Sequence, residues 1–242
     1  MGFDYLEPIV FPIAALDEGA FSVLVEKVHG LPIRCAAFNM LFPRDMMIVG
    51  PQSDAKRTAS YVARAVSRVA ALGAEILVVG SGASRIVPPG WDVDRGMMQF
   101  VETLRCVGDE AAKYGITAVI EPLNTRESNI VNSVAEGQHL AIRVGHPSVK
   151  LLADFYHMRL ESEDMENILR AGTVLRHAHI ANSDGRRFPR ERSEDRYDDF
   201  FAALKVIGYQ GMLSAEPMSG DLESEAPGSL ALFRQLAADH GL

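Results

Sequence analysis

At 242 residues the chain is long enough to bury a substantial core, as one large domain or two small ones. Its formal net charge of −8 argues against a generally basic surface of the kind that grips nucleic acid, and 48% hydrophobic with 23% charged residues is ordinary for a soluble globular protein. No apolar run approaches the roughly 18 residues needed to cross a bilayer, and MGFDYLEPIVFPI has no basic segment and carries Asp4 and Glu7, so a cytoplasmic protein without membrane contact is expected.

The first element in chain order is FDYLEPIV, short and strand-like, followed by helical spacing in FSVLVEKVHG. PIRCAAFN is a second strand. From Asp54 to Leu72, Tyr61, Ala65, Val66 and Val69 share one helical face. AEILVVGSG is almost wholly apolar, as a parallel strand covered on both faces would be. Its GSGAS end (Gly80 to Ser84) lacks the third glycine of a dinucleotide loop and reads as a tight turn. A helix from about Met98 to Tyr114 leads into ITAVIEPLN. Ser133 and Glu136 form a capping box opening SVAEGQHLAIRVG. VKLLADF, LRHAHIAN and GMLSAEP are further strands, separated by helical MENILRA and YDDFFAALKVIG, and SLALFRQLAADHG closes the chain. Cys35 and Cys106 lie far apart in apolar stretches and read as reduced thiols. Strand then helix throughout, with no dividing linker, predicts a single α/β domain over residues 1–242 with a mainly parallel sheet.

The last four strands decide between an open sheet and a (β/α)8 TIM-type barrel. ITAVIE ends at Glu121, LLAD at Asp154, RHAH at His179 and LSAE at Glu216. In a barrel the C-terminal strand ends converge on one face, where active sites are built. Any one of these acids could merely cap the following helix. Four in succession after apolar runs point instead to a shared site. Two glutamates, an aspartate and a histidine make a mostly oxygen donor set suited to Mn²⁺, Mg²⁺ or Co²⁺. His177 and His179 share a strand face, so spacing alone does not choose between them.

EPLN at Glu121, DFYH at Asp154, HAHIAN at His177 and AEP at Glu216 resemble the xylose isomerase-like TIM barrels, nearest to ketose 3-epimerases and hydroxypyruvate isomerases. The resemblance extends from GFDYLE to the IGYQG before the last strand. It implies Glu121, Asp154, His179 and Glu216 as ligands of a divalent metal, Mn²⁺ first, with Glu121 and Glu216 also the acid–base pair. It implies Glu127 and His157 as contacts to substrate hydroxyls, and an arginine after HAH, which here is Arg186 or Arg187. Trp91 in VPPGWD is a candidate cover for a sugar face. The implied reaction is isomerisation or epimerisation of a small sugar or keto acid through a metal-stabilised enediolate. A lyase or dehydratase using the same site, and a non-catalytic sugar-binding subunit, are the alternatives. Asn182 stands where epimerases often have a glutamate.

Seven strand–helix units are countable where the barrel needs eight; members of the resembling family have a unit before the GFDYLE-like segment, so the expectation is either a shortened start or a barrel closed in another way. An exposed strand edge would invite association into a homo-oligomer. RRFPRER (Arg186 to Arg192) is the one locally basic stretch, diluted by Glu191, Glu194 and Asp195, and reads as a solvated loop.

Overall fold

A computed structural model describes residues 2–218 and 221–242. Among them the order is β1 (Tyr5–Leu6), α1 (Val10–Ala15), α2 (Glu18–His29), β2 (Arg34–Cys35), β3 (Ala37–Phe38), α3 (Ala55–Ala71), β4 (Ile76–Val79), α4 (Val93–Ala112) and β5 (Thr117–Ile120). Then follow α5 (Val134–Val144), β6 (Val149–Asp154), α6 (Phe155–Leu160), α7 (Glu166–Ala171), β7 (Leu175–Ile180), α8 (Tyr197–Val206), β8 (Met212–Ala215) and α9 (Leu222–His240). The described strand pairings are parallel and run β3 to β8 in sequence order, with β1 on β2. Only Ala36 separates β2 from β3, so these strands occupy seven positions, one for each predicted strand.

Strand alternation sorts the side chains into two layers. Ala37, Ile76, Val78, Val119 and Leu152 form an inner cluster, with Tyr5 and Met212 packed against it. The intervening residues, such as Phe38, Leu77, Ala118 and Ile120, join the larger cluster shared with the helices. α3 contributes Val62, Ala65, Val66 and Val69 to it; of the predicted stripe Ala65, Val66 and Val69 are fully buried, and Tyr61 packs against the cluster partly buried. Burying each valine stabilises the fold by roughly 1.5–3 kcal/mol. Asp54 starts this helix by accepting from the N–H groups of Lys56 and Arg57.

Some boundaries differ from expectation. β1 stops at Leu6, and Val10 opens a short helix where strand is expected. α4 begins at Val93 because Asp92 accepts from Arg95 N at 2.7 Å. α9 begins at Leu222, capped by Asp221, and so starts seven residues before the expected SLALFRQLAADHG, running through Pro227 and Gly228.

β1 and β8 are the open edges. Among the described residues β1 pairs only with β2, and β8 only with β7. A cavity of about 940 Å³ lies along this seam, lined by Tyr5, Leu6, Met212 and Leu213 together with Leu230 and Phe233 of α9. Tyr5 Oη and Ser214 Oγ meet at 2.7 Å, so side chains join strands that no described backbone pairing connects. Cys35 and Cys106 are free thiols. No helix among the described residues is long and apolar enough to cross a membrane.

Candidate active site

One inward step beyond the hydrophobic inner layer, the strands end in Glu7, Asn39, Gly80, Glu121, Asp154, His179 and Glu216. Alternation alone places these seven on the same face as Tyr5, Ala37, Val78, Val119, Leu152, His177 and Ser214. Glu121, Asp154, His179 and Glu216 each offer a donor atom within 4.8 Å of the others. His179 Nδ1 is 3.2 Å from Glu121 Oε1 and 3.3 Å from Glu216 Oε2. Asp154 serves two ends at once. Its Oδ1 caps α6, accepting from Tyr156 N at 2.7 Å, and its Oδ2 lies 3.6 Å from His157 Nε2. Gly80 is the gap in the ring, and the gap is needed. A Cβ there would sit 1.6 Å from Glu121 Oε2. Arg85, fully buried, donates to the carbonyls of Glu121 (2.7 Å) and Val79 (3.3 Å), bracing the ends of β4 and β5.

The cluster is electrostatically crowded. Burial, reinforced by Glu216, pushes Asp154 up to about 6 and also raises Glu121. For Glu216 burial again acts upward, but His179 and Arg186 outweigh it and hold the carboxyl at about 2. Burial opposes the charge on His179 too, yet Glu7 and Glu216 raise its pKa well above the ordinary value. Glu216 is pinned at both oxygens: Asn39 Nδ2 donates to Oε1, and Arg186 donates to Oε2 at 2.5 Å.

A cavity of about 750 Å³ opens over the cluster, lined by Glu7, Asn39, Gly80, Glu121, Glu127, Arg186 and Glu216 among others. Of the two arginines, Arg186 lines this cavity and Arg187 does not. Gly185 and Arg186 both take left-handed backbone conformations, with φ of 76° and 49°. The Arg186 guanidinium lies 4.9 Å from the Tyr156 ring centre and 3.5 Å from Glu127 Oε1. Arg187 instead pairs with Glu194 at 3.0 Å. His157 is buried, with Nδ1 2.8 Å from Asn124 Nδ2, while its Nε2 has no hydrogen-bond partner among the described residues. Trp91 is not brought to this cavity; it packs on the core and stacks under Arg95 at 4.4 Å. In RRFPRER, Arg190 pairs with Glu225, and Arg192 with Asp198 and Asp239, which neutralises the stretch.

The family model for xylose isomerase-like TIM barrels matches residues 1–236. The chain belongs to the xylose isomerase-like TIM-barrel family. A ketose 3-epimerase of Arthrobacter globiformis is 30% identical over 246 residues, covering 99% of this chain and 82% of the relative. A 2-oxo-tetronate isomerase of Pectobacterium atrosepticum is 28% identical over 144 residues, covering 58% of this chain and 53% of the relative. Among solved structures, a D-psicose 3-epimerase crystallised in the presence of D-fructose superposes with a TM-score of 0.83 at 23% identity, covering 97% of this chain and 89% of that one.

For a member of this xylose isomerase-like family, the residues present fit a divalent cation. Three carboxylates and one imidazole converge, with Glu7 directly behind the imidazole, and the balancing charges are His179 and Arg186. Bringing so many buried carboxylates together is costly without a compensating cation, and oxygen-rich donors select Mg²⁺, Mn²⁺ or a similar ion. Asn182 is buried and donates to Tyr197 Oη at 2.6 Å.

Sequence reasoning missed Glu7 and Asn39. Both carry the signal that exposed the other four, a polar residue ending a strand, but on the first two strands, where it was not sought. Glu7 Oε1 is 2.8 Å from His179 Nε2, and Oε2 is 2.9 Å from His177 Nε2.

Proposed function

We propose that this protein is a divalent-metal-dependent sugar isomerase or epimerase, with Glu121 and Glu216 as its proton-transferring pair and Glu121, Asp154, His179 and Glu216 as ligands. One observation carries the reading: two glutamates from β5 and β8 converge on the same His179 Nδ1, at 3.2 and 3.3 Å, within a four-residue donor cluster. A bound Mn²⁺, Mg²⁺ or Co²⁺ supplies Lewis-acid polarisation of a substrate carbonyl.

The protein's own residues do the rest. One glutamate takes the proton from the carbon beside the carbonyl, and the other returns a proton from its own side. Return to the opposite face of that carbon is epimerisation; return to the adjacent carbon, with the hydroxyl proton of the first carbon passing to the former carbonyl oxygen, is isomerisation. Asn39 and Arg186 hold Glu216 at both oxygens, which fixes the carboxylate for transfer. Glu127 and Arg186 line the cavity and are the groups available to substrate hydroxyls; His157 is buried beside Asp154, 3.6 Å from its Oδ2. The ketose 3-epimerase relative supports this class of substrate.

Acidic keto sugars are favoured as a second substrate class by Arg44 and Arg126. Both line the cavity, and neither has a carboxylate partner among the described residues. The 2-oxo-tetronate isomerase relatives point the same way. The test of the proton-transfer pair is Glu121→Gln and Glu216→Gln, each assayed on every sugar the wild type turns over. Each lowers turnover by about 10²–10⁴-fold; near-normal turnover by either variant with metal present contradicts the assignment.

A further inference from the structure

We infer that Glu7 is a positioning residue, which rests on the ligand set proposed above: it holds His179 in the tautomer that aims Nδ1 at the cation and ties that ligand to the first strand. His179 Nδ1 faces Glu121 and Glu216, so it is the atom on the donor-cluster side. A neutral imidazole that ligates through one nitrogen keeps its proton on the other. That other nitrogen, Nε2, is 2.8 Å from Glu7 Oε1. An acceptor-only carboxylate at that distance stabilises the Nε2–H tautomer and leaves the Nδ1 lone pair for the metal.

Glu7 is itself fixed. Its Oε2 is 2.9 Å from His177 Nε2 and accepts from Ser214 Oγ, and Ser214 Oγ in turn meets Tyr5 Oη at 2.7 Å. The His177 and His179 rings pack edge to face, with centroids 4.9 Å apart. This network includes β1 (Tyr5), β7 (both histidines) and β8 (Ser214), with Glu7 just beyond β1. It therefore crosses the seam at which β1 and β8 have no pairing to each other among the described residues. Cation binding at His179 and closure of the seam are coupled through one carboxylate.

A competing arrangement is visible in the same atoms. Glu7, His177 and His179 also offer donors within 4.8 Å of one another, so a cation could sit on the Nε2 side. The histidine tautomer separates the two.

The experiment uses the metal alone, so its outcome does not depend on whether a sugar substrate is found. Long-range ¹H–¹⁵N NMR of the Mg²⁺-loaded wild type is expected to show His179 carrying its proton on Nε2. A proton on Nδ1 overturns the inference and favours the competing site. Calorimetry with Mn²⁺ is expected to show Glu7→Gln binding about 10–100-fold more weakly than wild type, since one amide oxygen cannot accept from both imidazoles. Ser214→Ala, which leaves the carboxylate in place but loosens it, is expected to fall between the two. If Glu7→Gln does not fold, Ser214→Ala and the wild-type tautomer carry the test. Mn²⁺ is further expected to slow amide exchange across residues 3–7 in wild type and not in Glu7→Gln. A folded Glu7→Gln that binds Mn²⁺ within twofold of wild type, or a wild type whose residues 3–7 gain no protection, overturns the inference.

Discussion

Gly80→Ala is the smallest change that reaches the proposed chemistry without touching a ligand. The added Cβ would lie 1.6 Å from Glu121 Oε2 and 2.8 Å from Cδ, whereas ordinary contact begins at 3.4 Å. The carboxylate must therefore retreat by about 1.8 Å from a cluster whose donor atoms lie within 4.8 Å of one another. Gly80 is not among the glycines with positive φ, so alanine meets no backbone penalty. The obstructing atom is the end of a flexible side chain, and overpacking of this kind costs about 1–3 kcal/mol, leaving the protein folded. Function is hit harder. A displacement of about 1 Å already costs about 10² in rate, so kcat/KM falls at least 100-fold, and Mn²⁺ affinity falls about 10–100-fold. Denaturant unfolding, calorimetry and steady-state turnover measure the three quantities. In a Glu121→Ala background only the 3.3 Å contact with the residue-121 Cβ remains, and the cost of Gly80→Ala largely disappears. A Gly80→Ala single variant with wild-type Mn²⁺ affinity and turnover would refute the reasoning.

In EDTA, Asp154→Asn is expected to be more stable than wild type by about 3 kcal/mol at about pH 8 and equal to it at about pH 3. The sign follows from a carboxyl raised from 3.8 to about 6 on folding: the cost is absent below the unfolded value and complete above the folded one. Asparagine keeps the cap on α6, so denaturant curves at the two pH values isolate the charge, and a wild type more stable than the variant at the higher pH contradicts it. Excess Mn²⁺ reverses the order, which thermal unfolding reads directly. Replacing Arg44 and Arg126 together with glutamine raises KM for a keto acid roughly tenfold and leaves a neutral ketose unchanged, as competition kinetics would show; equal losses on both would remove the acidic-substrate reading.

Much of this was legible in the sequence, for identifiable reasons. Parallel strands covered on both faces are apolar runs, so an acid or histidine at the end of one stands out. That contrast exposed Glu121, Asp154, His179 and Glu216. It works less well on β1 and β3, which are two residues each, and so Glu7 and Asn39 passed unnoticed. That Arg186 rather than Arg187 lines the cavity goes with consecutive left-handed residues that spacing does not reveal. That Trp91 packs on the core away from the cavity was not legible, because a lone tryptophan in a long loop gives no sign of which way the loop folds. The boundary errors share another cause. A capping aspartate such as Asp92 or Asp221 is a local hydrogen bond, and it starts a helix before the apolar periodicity does.

The measurement that bears most directly on the central claim is proton exchange. Protein loaded with Mn²⁺ would be incubated in D₂O with a panel of free ketoses and keto acids, with and without EDTA, then freed of metal and followed by NMR. The account predicts deuterium entering beside a carbonyl, with an epimer or isomer accumulating, and both abolished by EDTA. Metal-loaded protein that exchanges no substrate proton across the panel would contradict it and turn the assignment towards a non-catalytic sugar-binding protein.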